Sequence, residues 1–139
     1  MPRLEDVKVG EQVPACEETL TQEQLIVYAG ASGDFNPLHW SEEFAAGVSP
    51  TGGVIAHGML SMGLVARAVT DWAGGPEHVR SLQASFRAPC PVGSTVTCGG
   101  EVVAVDADAR TATVALWVEL PDGAKVVDRR SSRAVVALS

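Results

Sequence analysis

Apolar positions recur along this chain with two different periods, and the change falls near Gly75. Before that point the spacing is helical. Thr21 and Gln24 form a capping-box pair ahead of LIVYAG, which predicts a short helix from about Gln22 to Ala29, ended by Gly30. Ser41 is placed to cap a second short helix, Glu42 to Ala46, stopped by Gly47. A glycine-rich loop, GVSPTGGVIA, then leads into a longer helix from Gly58 to Trp72, with Gly74 and Gly75 as its stop. Its faces are apolar nearly all round, which predicts burial on more than one side, with Met59 and Met62 in the core.

After Gly75 the period becomes two. Leu82, Ala84 and Phe86 alternate with Ser81, Gln83 and Ser85, and Ala112, Val114, Leu116 and Val118 alternate with Thr111, Thr113 and Trp117. DADAR and LPDGAK read as turns between strands. Gly99-Gly100 suggests a bulge, a first strand lies around Glu11 to Thr19, and a last strand runs from about Lys125 to Leu138. The expected architecture is α+β, a single domain over residues 1–139 in which an antiparallel meander wraps around one long central helix. Such a sheet leaves edges open, and dimerisation is the expected cover.

Composition narrows the function. A net charge of -7 over 139 residues argues against nucleic acid as a partner, because phosphate-backbone binding needs a dense basic surface. Cys16, Cys90 and Cys98 are odd in number and lack metal-ligand spacing, and MPRLEDVKVGEQ has no apolar signal core. The expectation is a reduced, cytoplasmic protein with no metal and no cofactor. The most apolar run, Val54 to Val69, is too short and too interrupted to span a membrane, so no membrane partner is expected.

The candidate chemistry lies in YAGASGDFNPLHW. Asp34 and His39 are five residues apart, which in a helix would point them about 140° apart and in a strand to opposite faces. They converge only in a turn. Gly33 permits unusual dihedrals, Pro37 pushes Asn36 out of the helical region, and Asp and Asn favour turns. Interleaved apolar Phe35, Leu38 and Trp40 are more than a solvated turn requires. In VIAHGML the chain enters the long helix through His57-Gly58, where free N–H groups and the helix dipole make an anion site and Gly58 allows close approach.

Together these segments resemble the signature of MaoC-like (R)-specific enoyl hydratases, which have the hot-dog fold, and within them the HadB-type subunits of (3R)-hydroxyacyl-acyl-carrier-protein dehydratases. SFRAPCPVGSTV is similar to the strand and turn that these proteins carry after their long helix. The resemblance implies reversible hydration of trans-2-enoyl thioesters, or dehydration of (3R)-3-hydroxyacyl thioesters, carried by CoA or acyl carrier protein. It implies Asp34 and His39 as the catalytic pair, Asn36 as the residue orienting the site, and the Gly58 N–H as holder of the thioester oxygen. Phe44, Val54, Ile55 and His57 are the candidate substrate-binding residues, the first three as walls of an acyl tunnel to which a partner subunit can also contribute. The expected assembly is a homodimer or a heterodimer with a related hot-dog subunit. Two rival readings are a non-catalytic or partner-dependent half of a heterodimer, and a hot-dog thioesterase or polyketide-tailoring enzyme. Arg67, Arg87 and Arg129 are candidates to meet a phosphate or an acidic carrier protein.

Overall fold

The computed structural model describes Met1–Ser139. In chain order it contains β1 (Gln12–Thr19), α1 (Gln22–Ser32), a 3-10 turn (Pro37–His39), α2 (Glu42–Val48), α3 (Gly58–Ala73), a second 3-10 turn (Pro76–His78), β2 (Val79–Gln83), β3 (Thr95–Asp106), β4 (Thr111–Glu119), β5 (Lys125–Val127) and β6 (Arg133–Ala137). The six strands form one antiparallel sheet in the order β1-β3-β4-β6-β2, with β5 paired to β4. This is not the simple meander expected from the sequence. β2 crosses to the far edge to pair with β6, a long-range choice that local pattern does not encode.

The period-two pattern produces the core. Ala112, Val114, Leu116 and Val118 of β4 are fully buried together with Val96, Cys98 and Val102 of β3. Against that face lies α3, which buries Ser61, Val65, Ala68, Val69 and Ala73 along one stripe. The same stripe leaves the other side of α3 uncovered. Met59 is 56% exposed, and Met59, Met62, Gly63 and Ala66 border an open groove toward β2. The sheet therefore does not enclose the helix within one chain, and the two methionines are not core residues.

Both short helices run past the glycines expected to end them. The Thr21 capping box is present: Gln24 N–H donates to the Thr21 hydroxyl, and Thr21 N–H to the Gln24 side chain. Gly30 lies inside α1, because a helical glycine costs only about 1 kcal/mol and the turn beyond it anchors buried Ala29. The stop is Gly33, at φ 74°, a conformation that costs residues with a Cβ far more. Ser41 caps α2 as expected, but Gly47 is helical. Pro50 ends the helix by forcing Ser49 to ψ 139°.

Two further expectations need correction. Gly99 and Gly100 sit in regular register with Trp117 and Leu116, and the irregularity lies across from them, between Val13 and Cys16 of β1. Their glycines serve packing: a Cβ at position 99 would fall 2.6 Å from the Trp117 ring, and one at 100 would fall 2.9 Å from Val114. The last strand is two, β5 and β6. Asp128 breaks it, since its backbone carbonyl accepts from Ser131 and Ser132 N–H and its carboxylate accepts from Arg130 N–H. A short acidic side chain offers the backbone these local bonds in place of the ladder.

No helix is long and apolar enough to cross a membrane.

Candidate active site

The loop between α1 and α2 builds the site from backbone bonds outward. Gly33 turns the chain out of α1, and the Ser32 hydroxyl accepts from Asp34 N–H. Asp34 Oδ1 accepts from Asn36 N–H, and Asn36 Oδ1 accepts from Leu38 N–H to start the Pro37–His39 turn. Trp40 closes the loop by donating its indole N–H to the Phe35 carbonyl at 2.9 Å. Two successive Asx turns thus carry the chain from Asp34 to His39.

That path brings Asp34 Oδ2 to 3.9 Å from His39 Nε2. The distance is too long for a direct hydrogen bond, yet short enough for both groups to reach a single oxygen atom between them. His39 Nδ1–H donates to the Ile55 carbonyl at 2.7 Å, which leaves Nε2 facing the carboxylate. The Asp34 side chain is 53% exposed, and that of His39 is only 12% exposed.

His57 supports this pair from behind. It is buried, stacks on His39 with ring centroids 3.9 Å apart, and receives the edge of Tyr28. Its Nε2–H donates to the Asp34 carbonyl at 3.1 Å, and its Nδ1 has no hydrogen-bond partner in the chain. One ring therefore fixes both the backbone of Asp34 and the plane of His39. The sequence marked His57 as a substrate-binding candidate, and it does not border the cleft. The signal for its actual place was its position one residue before Gly58, at the mouth of a buried helix.

The cleft in front of His39 has a volume of about 340 Å³ and is bordered by Ile55, Gly58, Phe86, Arg87 and Cys90 among others. Gly58 is the first residue of α3, and its N–H donates to no acceptor in the chain. It adds the positive end of a sixteen-residue helix dipole to that cleft. The Phe86 ring packs so closely that a Cβ at position 58 would lie 3.3 Å from it. Phe86 was not assigned to the site from sequence and Arg87 only to a phosphate or a carrier protein, since both reach the cleft by pairing with β5.

The other candidates are dispersed. Of the four substrate-binding candidates, only Ile55 borders the cleft; Val54 is wholly enclosed in the core, and Phe44 is exposed on α2 outside the cleft. Asn36 is exposed and its carbonyl oxygen is engaged by Leu38 N–H, so what it holds is the loop. Arg67 pairs with Glu18 at 3.3 Å and does not join Arg87 and Arg129. Cys90 is the only cleft residue with a thiol, and burial pushes that thiol up to about 11, far from a reactive thiolate. Asp34, His39 and His57 would offer three ligand atoms within 4.8 Å of one another.

A turn-held carboxylate and imidazole beside the N-terminus of a long helix packed on an antiparallel sheet define a class. The chain belongs to the MaoC-like family, whose domain model, MaoC like domain, matches residues 6–121, and it has that family's hot-dog fold. Its sequence is 33% identical over 120 residues to the 3-hydroxybutyryl-CoA dehydratase of Methylorubrum extorquens, covering 86% of this chain and 75% of that protein. It is 36% identical over 96 residues to the (R)-specific enoyl-CoA hydratase of Rhodospirillum rubrum, covering 68% of this chain and 65% of that protein, just under two thirds. The (R)-hydratase of A. caviae superposes with a TM-score of 0.86 at 30% identity, over 96% of this chain and 98% of that one.

Proposed function

We propose that this chain, as a single MaoC-like domain, interconverts trans-2-enoyl and (3R)-3-hydroxyacyl thioesters by adding or removing water on one face. The observation that carries the reading is the 3.9 Å approach of Asp34 Oδ2 to His39 Nε2 beside a cleft bordered by the free Gly58 N–H. The relatives' names point to the same chemistry.

In the hydration direction a water held between Asp34 and His39 gives a proton to one of them as its oxygen bonds to C3. Electron density moves through C2 to the thioester oxygen, where the Gly58 N–H and the helix dipole stabilise the developing charge. A proton returned to C2 from the same pair completes addition. Both groups lie on one side of the substrate, so hydrogen and hydroxyl add syn. The His39 ring, with Nδ1–H fixed on Ile55, presents Nε2 for this exchange. Asn36 and His57 position the pair without touching the reacting atoms. No step calls for a metal or a cofactor.

The open faces support assembly with a second hot-dog subunit, the same or related. Val27 is 71% exposed, and Ile26, Phe35, Trp40, Phe44, Val48 and Met59 are exposed with it, more apolar surface than a lone chain needs. Three free cysteines, two of them buried, support a reducing cytoplasmic setting. The thioesterase reading is weaker, because the relatives' names are those of a dehydratase and a hydratase.

The test is to incubate the chain with trans-2-enoyl-CoA, alone and with a related hot-dog subunit, following loss of the enoyl absorbance and release of free thiol. The expected result is hydration without thiol release. Thiol release without hydration, or inertness under both conditions, would overturn the reading.

A further inference from the structure

Beside the cleft lies a hollow of about 590 Å³ bordered by Arg87, Lys125, Asp128, Arg129, Arg130 and Ser131, with no apolar residue in its wall. Four of the chain's ten lysines and arginines meet there, on a protein whose net charge is -7. Their charges are only partly matched. Arg87 Nε is 3.5 Å from Asp128, Arg129 Nη2 is 2.6 Å from Glu101, and Lys125 pairs with Glu119. Arg130 has no ion-pair partner, so four cations face three acids.

The turn that carries Arg129 and Arg130 is held in place. Arg130 N–H and the Ser131 hydroxyl bond to the Asp128 carboxylate, and these bonds together with the Arg87 and Arg130 charges keep that carboxyl below its usual range. Arg133 does not join the hollow; it folds back to donate to the Arg129 and Ser132 carbonyls and braces the turn. Arg129 also rests over the Trp117 ring at 5.2 Å.

The hollow and the cleft share a wall. Arg87 N–H donates to the Val126 carbonyl and Ala88 N–H to the Lys125 carbonyl, so residues 85–88 run beside β5. Phe86, Arg87 and Val126 border the cleft of His39 and Gly58, while Arg87 and Lys125 border the hollow. A ligand filling both would have an apolar reactive end, a flexible arm, and a compact polyanion at its far end.

We propose that Arg87, Lys125, Arg129 and Arg130 bind the phosphate groups of a CoA thioester whose acyl end occupies the His39 cleft. The proposal rests on the thioester reading above. Guanidinium groups match phosphate oxygens in fork geometry, and a local basic patch on an acidic protein draws a small polyanion toward it. A concave polar hollow fits such a group better than the surface of an acidic carrier protein, which needs its cations on an open face.

The probe is adenosine 3′,5′-bisphosphate, whose binding is measured by calorimetry at low and high salt. The wild-type chain is expected to bind it with an affinity that falls as salt rises. Arg130→Glu, which disturbs no ion pair, is expected to weaken binding at least about tenfold, with Arg130→Lys retaining most of it. In kinetics, Arg130→Glu should raise KM for crotonyl-CoA about tenfold relative to that for crotonyl-pantetheine, which lacks phosphate. Absence of bisphosphate binding, indifference to Arg130→Glu, or an equal change for both thioesters would overturn the proposal. A loss confined to a crotonyl-carrier-protein substrate would also overturn it and assign the hollow to the carrier. Because bisphosphate binding needs no turnover, a chain inert on every thioester would sink the activity reading while this site is judged on its own data.

Discussion

Asp34→Asn is expected to lower kcat for enoyl-thioester hydration by about 10²–10⁴-fold, the usual contribution of one positioned acid or base, with the fold intact. The substitution separates chemistry from architecture. Asp34 Oδ1 accepts from Asn36 N–H to hold the turn, and an asparagine amide oxygen keeps that bond. What asparagine cannot do is exchange a proton with a water shared with His39 Nε2. His39→Ala should cut kcat by a similar factor but with a stability cost, since it strands the Ile55 carbonyl and uncovers the His57 ring. If the two act as one unit, the double variant falls little below the worse single one. Steady-state kinetics beside a urea melt checks all three, and near-normal kcat in Asp34→Asn would remove the pair from the mechanism.

Gly58→Pro is expected to lower kcat by about 10²–10³-fold, the cost of deleting one oxyanion donor. Proline is well suited to this position. Gly58 opens α3, where proline is favoured and its missing N–H breaks no helical bond. The preceding residue, His57, already has φ -59° and ψ 133°, the extended conformation that proline demands of its neighbour. The helix should therefore form while the free Gly58 N–H is gone. The Phe86 ring must shift for any side chain at 58, so Gly58→Ala is the control: it imposes the same contact at 3.3 Å but keeps the donor. Kinetics on both variants checks the prediction. Equal losses would mean that packing against Phe86, not the N–H, accounts for the effect.

How much of this was legible in the sequence depends on how far each signal reaches. The Thr21–Gln24 box and the Ser41 cap are local, and the structure has both where the sequence put them. Helix ends were misread because glycine in a helix is tolerable, so Gly30 and Gly47 looked like stops, whereas Gly33 and Pro50 supply the backbone geometry that ends each helix. The approach of Asp34 to His39 followed from turn chemistry within six residues. His57 stacking on His39 did not, because it needs the fold to bring residues eighteen apart into contact. Likewise Phe86, Arg87 and the basic hollow depend on a strand pair, 85–88 against β5, formed across an interval of nearly forty residues. The bulge expected at Gly99 does fall opposite it in the pairing with β1, but the packing reason for the glycine, the Trp117 ring, lies on the neighbouring strand.

The stereochemistry of water addition in deuterated water probes the central geometry most directly. Crotonyl-CoA hydrated there should yield only (3R)-3-hydroxybutyryl-CoA, with deuterium at C2 delivered to the same face as the hydroxyl, because one carboxylate and one imidazole serve both atoms from one side. An (3S) product, or deuterium on the opposite face, would contradict that arrangement of Asp34, His39 and Gly58.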